Sequence, residues 1–271
     1  DTGFTKNSKI LGWSMTKSIT ATLFGILQKQ GKYDINKPAP IPEWQKDERK
    51  KITTNDLLHM NSGLEWEEAY DKICDATKML FIAEDMGRVQ LEKPAAFAPN
   101  THWNYSSGTS NLLSYILRKQ FKTHQEYLDF WYAQLIDRIG MHSMLIETDM
   151  VGNYVGSSYG WATARDWAKF GLLYLHKGNW NGDQVFDPSW ENYVSTPTND
   201  SKEGYGAHFW LNAGGHFPAA PRDMYSCNGY QGQKVFIIPS LDLVIVRMGL
   251  SDEGKYDVNE LLAGVIGSFK K

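Results

Sequence analysis

Residues 14–17, with the sequence Ser-Met-Thr-Lys, combine a hydroxyl and an amine at helical spacing. Side chains three residues apart on a helix are neighbours, so Ser14 and Lys17 can meet. A lysine that burial desolvates has a lowered pKa and can take the proton of a serine hydroxyl, which makes that serine a nucleophile for acyl transfer. The alternative is an N-terminal serine with a solvated lysine. The same pattern recurs at 268–271, so the spacing alone does not decide between the two.

Two further stretches carry candidate chemistry. Residues 104–108 (Asn-Tyr-Ser-Ser-Gly) place Tyr105 two positions before Ser107, so a phenol and a hydroxyl can face one cleft, although such a run is also an ordinary loop. Residues 227–233 lead into an apolar strand. Gly229 there lets a ligand approach the backbone closely, although a plain hairpin turn has the same composition. Cys227 is itself a candidate nucleophile, but no partner base is evident for it.

Composition and charge exclude several function classes. The 28 basic and 31 acidic residues give a net charge of −3 over 271 residues, which argues against a nucleic-acid partner. The histidines show no zinc spacing and no glycine-rich phosphate loop occurs, so no metal and no other cofactor is expected. The apolar runs 235–238 and 243–246 are too short for a transmembrane segment, and two cysteines exclude a disulfide scaffold. A Ser/His/Asp triad stays open by spacing, but no GxSxG sequence frames a serine.

The periodicity of apolar residues predicts a helix-rich first part followed by strands. A helix over 13–30 carries an apolar stripe of Met15, Ile19, Leu23, Ile26 and Leu27. Further helices are predicted over 54–60, 74–85, 109–119, 125–138, 163–176 and 257–269, and strands over 207–211, 224–227, 234–238 and 243–248. This order predicts an α/β fold of the α+β type, in which helices flank an antiparallel sheet. We expect one domain over 1–271, with a helix-rich region at about 12–200 and the sheet and closing helix at about 205–271.

Taken in order, these stretches resemble the motifs of the serine β-lactamase and penicillin-binding-protein superfamily. The resemblance is closest to its class C-like branch of esterases, D-amino-acid amidases and 6-aminohexanoate-dimer hydrolases. Residues 13–18 are similar to the SxxK element, 105–107 to the YxN or YxS element, and 229–233 to the strand with the third motif. Residues 56–64 and 162–171 resemble two further family segments. The resemblance spans nearly the whole chain, from Leu11 to the final helix.

The resemblance implies a serine hydrolase that cleaves an ester or amide bond of a small molecule through an acyl-enzyme. Ser14 is then the nucleophile, Lys17 its base, and Tyr105 the proton shuttle to the leaving group. The oxyanion hole would consist of the backbone N–H groups of Ser14 and Tyr230. The substrate-binding and oxyanion side of the site is expected to comprise Ser107, Asn228, Gly229 and Tyr230.

Two departures from the family pattern affect the predicted substrate and the predicted sheet. Cys227, Asn228 and Gly229 stand where the family commonly has Lys or His, a small residue and Gly. The cation that would anchor a substrate carboxylate is missing from that position, which favours a neutral ester or amide. Only 13 residues precede Ser14, so one or more N-terminal strands of the sheet are expected to be missing.

Other functions stay open at this point. The preferred bond can be a β-lactam or a D-amino-acid peptide, or the protein can be a catalytically silent binding or assembly protein of the same fold. Trp103, Trp161 and Trp210 are candidates for the lining of the cleft, with burial in the core as the alternative. The chain begins with Asp1 rather than Met, as expected after removal of an N-terminal segment. The periplasm and the cytoplasm are both compatible with the sequence, and it does not indicate an oligomeric state.

Overall fold

Helices dominate the first two thirds of the chain, and the main sheet follows them. The structure is a computed structural model that describes residues 3–251 and 255–269. The helices are α1 (Thr16–Lys29), α2 (Thr54–Leu58), α3 (Asp75–Phe81), α4 (Met86–Leu91), α5 (Ser107–Arg118), α6 (His124–Trp131), α7 (Ala164–Leu175), α8 (Ser189–Ser195) and α9 (Val258–Ser268). The strands are β1 (Ile10–Leu11), β2 (Leu145–Ile146), β3 (Gly160–Ala162), β4 (Asn179–Trp180), β5 (Asp183–Gln184), β6 (Trp210–Leu211), β7 (Tyr225–Gly229), β8 (Gln233–Ile238) and β9 (Leu243–Arg247).

The main sheet is antiparallel and has helices on both faces, as predicted. Its strand order is β6-β7-β8-β9, and Asn228 on β7 lies opposite Lys234 on β8. On one face α9 buries Leu262 and Ile266 against side chains that include Phe236. On the other face α7 lies so close that a Cβ on Gly171 would meet Val244 at 2.6 Å. The mixed α/β class with an antiparallel sheet is therefore confirmed.

Helix α1 runs through the interior of the molecule. Met15, Ile19 and Leu23 of the predicted apolar stripe are completely buried. The opposite, polar face of the helix is buried as well, and Lys17 there is only 1% exposed. The alternative of a solvated lysine is therefore wrong. In the described ranges, no helix combines the length and the apolar character that a membrane crossing needs.

Several predicted elements differ in extent for local reasons. The helix predicted over 74–85 is shorter, since α3 ends at Phe81 and a separate helix, α4, begins after Asp85, whose carboxylate caps it by accepting the N–H of Arg88. The strand over 207–211 shortens to β6, since His208 has a φ of 60° and turns its ring inward to the Leu58 carbonyl. Helix α5 begins two residues earlier than predicted because the Ser106 hydroxyl caps it. The sequence did not predict helix α8 or the short strands β1 to β5, because their apolar residues show no clear periodicity.

A short strand does precede Ser14 and helix α1. Strand β1 pairs with β3, and β3 pairs in turn with β2, so these strands form a three-stranded sheet separate from β6 to β9. The N–H of Gly12, which follows β1, donates to the Gly160 carbonyl at 2.7 Å. A Cβ on Gly12 would meet the Trp167 ring at 2.5 Å. Gly12, directly before the first motif, therefore lies where a side chain would not fit.

Candidate active site

Ser14 lies in a tight turn rather than in regular helix. The 3-10 turn Trp13–Met15 precedes α1, and Trp13 has a φ of 49°, a left-handed conformation that is strained for a bulky residue. The Thr16 hydroxyl holds this turn by donating to the Trp13 carbonyl at 2.8 Å and accepting the Gly160 N–H at 3.0 Å. The turn places the Ser14 hydroxyl beside the first turn of α1.

Lys17 occupies the centre of the site. Its Nζ donates to Ser14 Oγ at 3.0 Å, to Ser107 Oγ at 2.9 Å and to the Ser157 carbonyl at 2.9 Å. These three acceptors match the three N–H bonds of an ammonium group. Burial lowers the pKa of Lys17 from 10.5 to about 8, although the charge of Glu68 opposes that shift. A lysine with this pKa is neutral in about a tenth of the molecules at pH 7, and in that form it can accept a proton.

Tyr105 reaches the site from the segment before α5, and Ser107 reaches it as the first residue of that helix. The Tyr105 ring lies under Lys17, with Nζ 5.1 Å from the ring centroid. Burial, and secondly the charge of Glu68, hold the pKa of the Tyr105 phenol well above its usual value, while contact with the Ser14 hydroxyl partly offsets them. The phenol is therefore protonated at neutral pH. The structure brings together the four residues Ser14, Lys17, Tyr105 and Ser107.

Glu68 is a further member of this cluster, and no motif of the sequence predicted it. Its carboxylate accepts the N–H of Ser107 at 2.8 Å and the hydroxyl of Ser107 at 2.5 Å. The indole N–H of Trp66 donates to it at 2.5 Å, and the Tyr70 hydroxyl also donates to it. The alternation of Trp66, Glu68 and Tyr70 in an extended segment is the signal that was available, but it matches no motif.

The third predicted motif lies against the turn that holds Ser14. A Cβ on Gly229, at the end of β7, would lie 2.1 Å from the Gly12 carbonyl oxygen, so only glycine fits there. The Tyr230 ring packs edge to face on Trp13 at 5.7 Å. Asn228 and Gly229 therefore lie next to the turn that holds Ser14. Tyr230 follows them in the hairpin between β7 and β8, so this stretch also forms the hairpin turn that the alternative interpretation predicted.

Two cavities flank this cluster. One, of about 480 Å³, is lined by side chains that include Trp103, Trp210 and Lys234. The other, of about 620 Å³, is lined by residues that include Glu68 and Tyr230. Two of the three candidate tryptophans therefore line a cleft. The third, Trp161, lies in β3 and its indole donates to Glu147 at 2.6 Å.

Cys227 does not have the environment of a nucleophile. It is 1% exposed, and burial raises the pKa of its thiol to about 12, despite a contact with the Ser18 hydroxyl. The thiolate, which is the reactive form, is therefore nearly absent at neutral pH. This geometry leaves Ser14 as the better candidate.

Comparison with known families agrees with the order of the motifs and the fold. Residues 2–261 match the beta-lactamase family. The chain belongs to the beta-lactamase family. None of the curated proteins matches the chain.

Solved structures with the same fold are distant in sequence. A provisionally named 6-aminohexanoate-dimer hydrolase from Bacillus anthracis has a TM-score of 0.79 and 20% identity, over 99% of this chain and 74% of its own. A family VIII carboxylesterase has a TM-score of 0.73 and 16% identity, over 96% and 83% of the two chains. A penicillin-binding protein from Bacillus halodurans has a TM-score of 0.69 and 15% identity, over 97% and 86%. At these identities the likeness shows that the chain shares the fold of these proteins.

Proposed function

We propose that this beta-lactamase family protein is a serine hydrolase that cleaves an ester or amide bond through an acyl-enzyme on Ser14. The observation that carries the proposal is the buried Lys17, whose Nζ is 3.0 Å from Ser14 Oγ and whose pKa burial lowers to about 8. A buried lysine without a catalytic role destabilises the fold, so its position beside a hydroxyl at a strained turn favours chemistry. The names of the carboxylesterase and hydrolase relatives agree with this reaction class.

Acylation follows from the roles of four groups. Neutral Lys17 accepts the proton of Ser14 as Oγ attacks the substrate carbonyl carbon. The backbone N–H groups of Ser14 and Tyr230 stabilise the negative charge that develops on the carbonyl oxygen. Tyr105, protonated because its pKa is raised, donates its proton to the leaving alkoxide or amine as the carbonyl–leaving group bond breaks. The proton held by Lys17 replaces the one that Tyr105 has given.

Deacylation uses the same groups in reverse. A water molecule gives a proton to neutral Lys17 as it attacks the acyl carbon, and Ser14 Oγ leaves with that proton returned from Lys17. Ser107 takes part as a positioning residue, since its hydroxyl accepts from Lys17 and donates to Glu68. The products are a carboxylic acid and an alcohol or amine.

The experiment that tests this proposal is labelling by a fluorophosphonate, followed by intact-protein mass measurement. We expect one adduct on the wild-type protein and none on Ser14→Ala. The matched control is Ser268→Ala, because Ser268 opens the other Ser-x-x-Lys sequence and is exposed on α9. That variant should keep the adduct. An unlabelled but folded wild-type protein, or an adduct that persists in Ser14→Ala, would overturn the proposal.

Substrate panels then separate the alternatives. Hydrolysis of 4-nitrophenyl esters or anilides that Ser14→Ala abolishes supports the ester or amide assignment. Faster hydrolysis of a chromogenic cephalosporin than of any simple ester would favour a β-lactam substrate. Absence of turnover on all of them, with the fold intact, would favour a binding or assembly role.

A further inference from the structure

The short turn Tyr230–Gly232, which joins β7 to β8, has a backbone that needs support from its surroundings. Gln231 has a φ of 59° and Gly232 a φ of 86°, so two successive residues are left-handed. This conformation is unfavourable for a residue with a side chain, such as Gln231. The turn begins with Tyr230, whose N–H is one of the two proposed oxyanion donors. A donor of this kind is effective only if its direction is fixed before charge develops on the substrate.

Packing holds the chain on the N-terminal side of the turn. A Cβ on Gly229 would overlap the Gly12 carbonyl oxygen, so the end of β7 lies directly against the segment that leads into α1. The Tyr230 ring contacts the rings of Trp13 and Tyr70, with centroids 5.7 Å and 5.2 Å away. These contacts fix the residue before the turn and its first side chain. They do not fix the two left-handed residues that follow.

Arg247, the last residue of β9, holds those two residues from the other side. Its Nη1 donates to the Gly232 carbonyl at 2.8 Å and to the Gln231 carbonyl at 3.3 Å. Its Nη2 donates to the Ser251 hydroxyl, and the Ser251 N–H donates to the Gln231 carbonyl at 3.1 Å. The Tyr256 ring centroid lies 4.1 Å from the guanidinium carbon, and the Tyr256 hydroxyl donates to the Gly232 carbonyl at 3.3 Å. One guanidinium therefore connects both left-handed residues to the segment that follows β9.

The chemistry of Arg247 suits this support. A Cβ on Gly232 would overlap Nη1, so the guanidinium lies directly against the backbone of the turn. Its planar fork presents several N–H donors in fixed directions, which fixes the relative orientation of adjacent carbonyl groups better than a flexible lysine ammonium does. Gln233 adds a weaker bond, from Nε2 to the Gln231 carbonyl at 3.4 Å. Without Arg247 the turn therefore keeps part of its support, and we expect it to persist with a less fixed direction.

We propose that Arg247 is a positioning residue for the oxyanion hole. By fixing the two residues after Tyr230, it keeps the Tyr230 N–H directed at the substrate carbonyl oxygen while negative charge develops there. The proposal rests on the proposed hydrolase function, because it assigns Arg247 a part in the reaction at Ser14. A ground-state carbonyl oxygen carries little charge, so a misdirected donor weakens transition-state stabilisation more than substrate binding. Loss of Arg247 should therefore lower kcat with little change in KM.

Steady-state kinetics of Arg247→Ala with a 4-nitrophenyl ester test this proposal. We expect kcat to fall about tenfold or more, short of the about 10²–10³-fold that loss of a whole oxyanion donor costs, while KM changes less than about threefold. The matched control is Arg222→Ala, at the other end of β7. Arg222 also donates to a backbone carbonyl, that of Ala213 at 2.6 Å, but in an exposed segment, so both constants should stay unchanged. An unchanged kcat in Arg247→Ala, or a loss carried by KM alone, would overturn the proposal.

Inhibition by phenylboronic acid gives a readout that a merely structural role would not change. Ser14 Oγ forms a bond to boron, its proton passes to Lys17, and the tetrahedral anion that results places an oxygen in the oxyanion hole. We expect the affinity of this adduct to fall in Arg247→Ala by about the same factor as kcat. Ethylguanidinium, which replaces most of the side chain that Arg247→Ala lacks, should restore part of both. An adduct affinity equal to that of the wild-type protein would overturn the proposal.

The two proposals fail in distinguishable ways. Turnover that depends on Ser14, with a kcat that Arg247→Ala does not change, would overturn the role of Arg247 and leave the hydrolase intact. A folded wild-type protein without Ser14-dependent turnover or labelling would overturn the hydrolase, and the role of Arg247 with it. Thermal unfolding shows whether Arg247→Ala is folded. If it is not, Arg247→Lys provides the test, because it keeps the charge but loses the planar fork: kcat should fall in it too, and an unchanged kcat would overturn the proposal.

Discussion

Replacing Glu68 by Gln removes a negative charge from beside Lys17 with little change in shape. The Glu68 carboxylate raises the pKa of Lys17, although burial has the larger effect and holds that pKa at about 8. Without this charge Lys17 should lose its proton at lower pH. Since only neutral Lys17 can accept the Ser14 proton, we predict that the acid side of the pH–kcat/KM profile moves to lower pH in Glu68→Gln.

The size of this shift follows from the contacts. Lys17 Nζ is 2.9 Å from Ser107 Oγ, which is 2.5 Å from Glu68 Oε1, so the two charges are at most about 5.4 Å apart. At an effective dielectric constant of about 20 their attraction is about 3 kcal/mol, or about two pKa units. Glu68 is partly exposed, and solvent screening reduces the expected shift to about one to two units. At pH 6.5 the fraction of neutral Lys17 then rises about tenfold or more.

The assay is kcat/KM of a 4-nitrophenyl ester between pH 5.5 and 9.5. The matched control is Glu67→Gln, which removes the neighbouring charge from an ion pair with Lys72 and should leave the profile in place. A profile that stays in place or moves to higher pH in Glu68→Gln would show that this charge does not act on the base. Loss of activity at every pH, with the fold intact, would show instead that Glu68 itself transfers a proton.

Three further predictions concern the fold and the reactivity of the site. Burial lowers the pKa values of His59 and His208 to about 4 and about 3, so the unfolded chain binds more protons than the folded one below pH 6.5. The free energy of unfolding, measured in urea, should therefore be about 2 kcal/mol lower at pH 5 than at pH 6. Equal free energies at the two pH values would contradict this. Gly229→Ala puts a Cβ 2.1 Å from a backbone oxygen, so Tm and esterase activity should both fall, while Gly264→Ala, which meets open space on α9, should change neither by much. Iodoacetamide at pH 8 should leave Cys227 unmodified in the folded protein and modify it in denaturant, because burial raises the pKa of its thiol to about 12. Rapid labelling of Cys227 in the folded protein would be inconsistent with that burial.

The sequence predicted the elements that have strong local signals. Helix α7 begins where Thr163 and Asp166 supply an N-cap and an acidic first turn, and strands β8 and β9 are β-branched runs. It failed where tertiary contacts set the conformation. His208 leaves the extended region because its ring is held between the Leu58 carbonyl and Ser110, which are far away in sequence. Two-residue strands such as β1 carry too few side chains for a periodic signal.

The predicted site could be assembled from the sequence only through the order of its motifs. Spacing predicted the contact of Ser14 with Lys17, because the 3-10 turn runs directly into α1 and keeps residues three apart on the same side. Tyr105 lies far from that pair in the sequence, so its contact with them exists only in the folded chain and local spacing could not predict it. Glu68 was not found, since it gains its meaning from its contact with Ser107 on another element. An isolated acid in a sequence carries no such information.

The burial of Lys17 links the stability of this fold to its chemistry. A pKa lowered from 10.5 to about 8 means that holding the protonated side chain inside costs about 3 kcal/mol of folding free energy at neutral pH. Because the folded state releases this proton earlier than the unfolded state, that cost disappears as the pH rises from 8 towards 10.5. The three acceptors around Nζ limit the cost, but two of them, Ser14 and Ser107, are themselves members of the candidate site. Ser14 and Ser107, whose hydroxyls reduce the free-energy cost of burying Lys17 by accepting its hydrogen bonds, are therefore also the groups through which Lys17 would exchange protons.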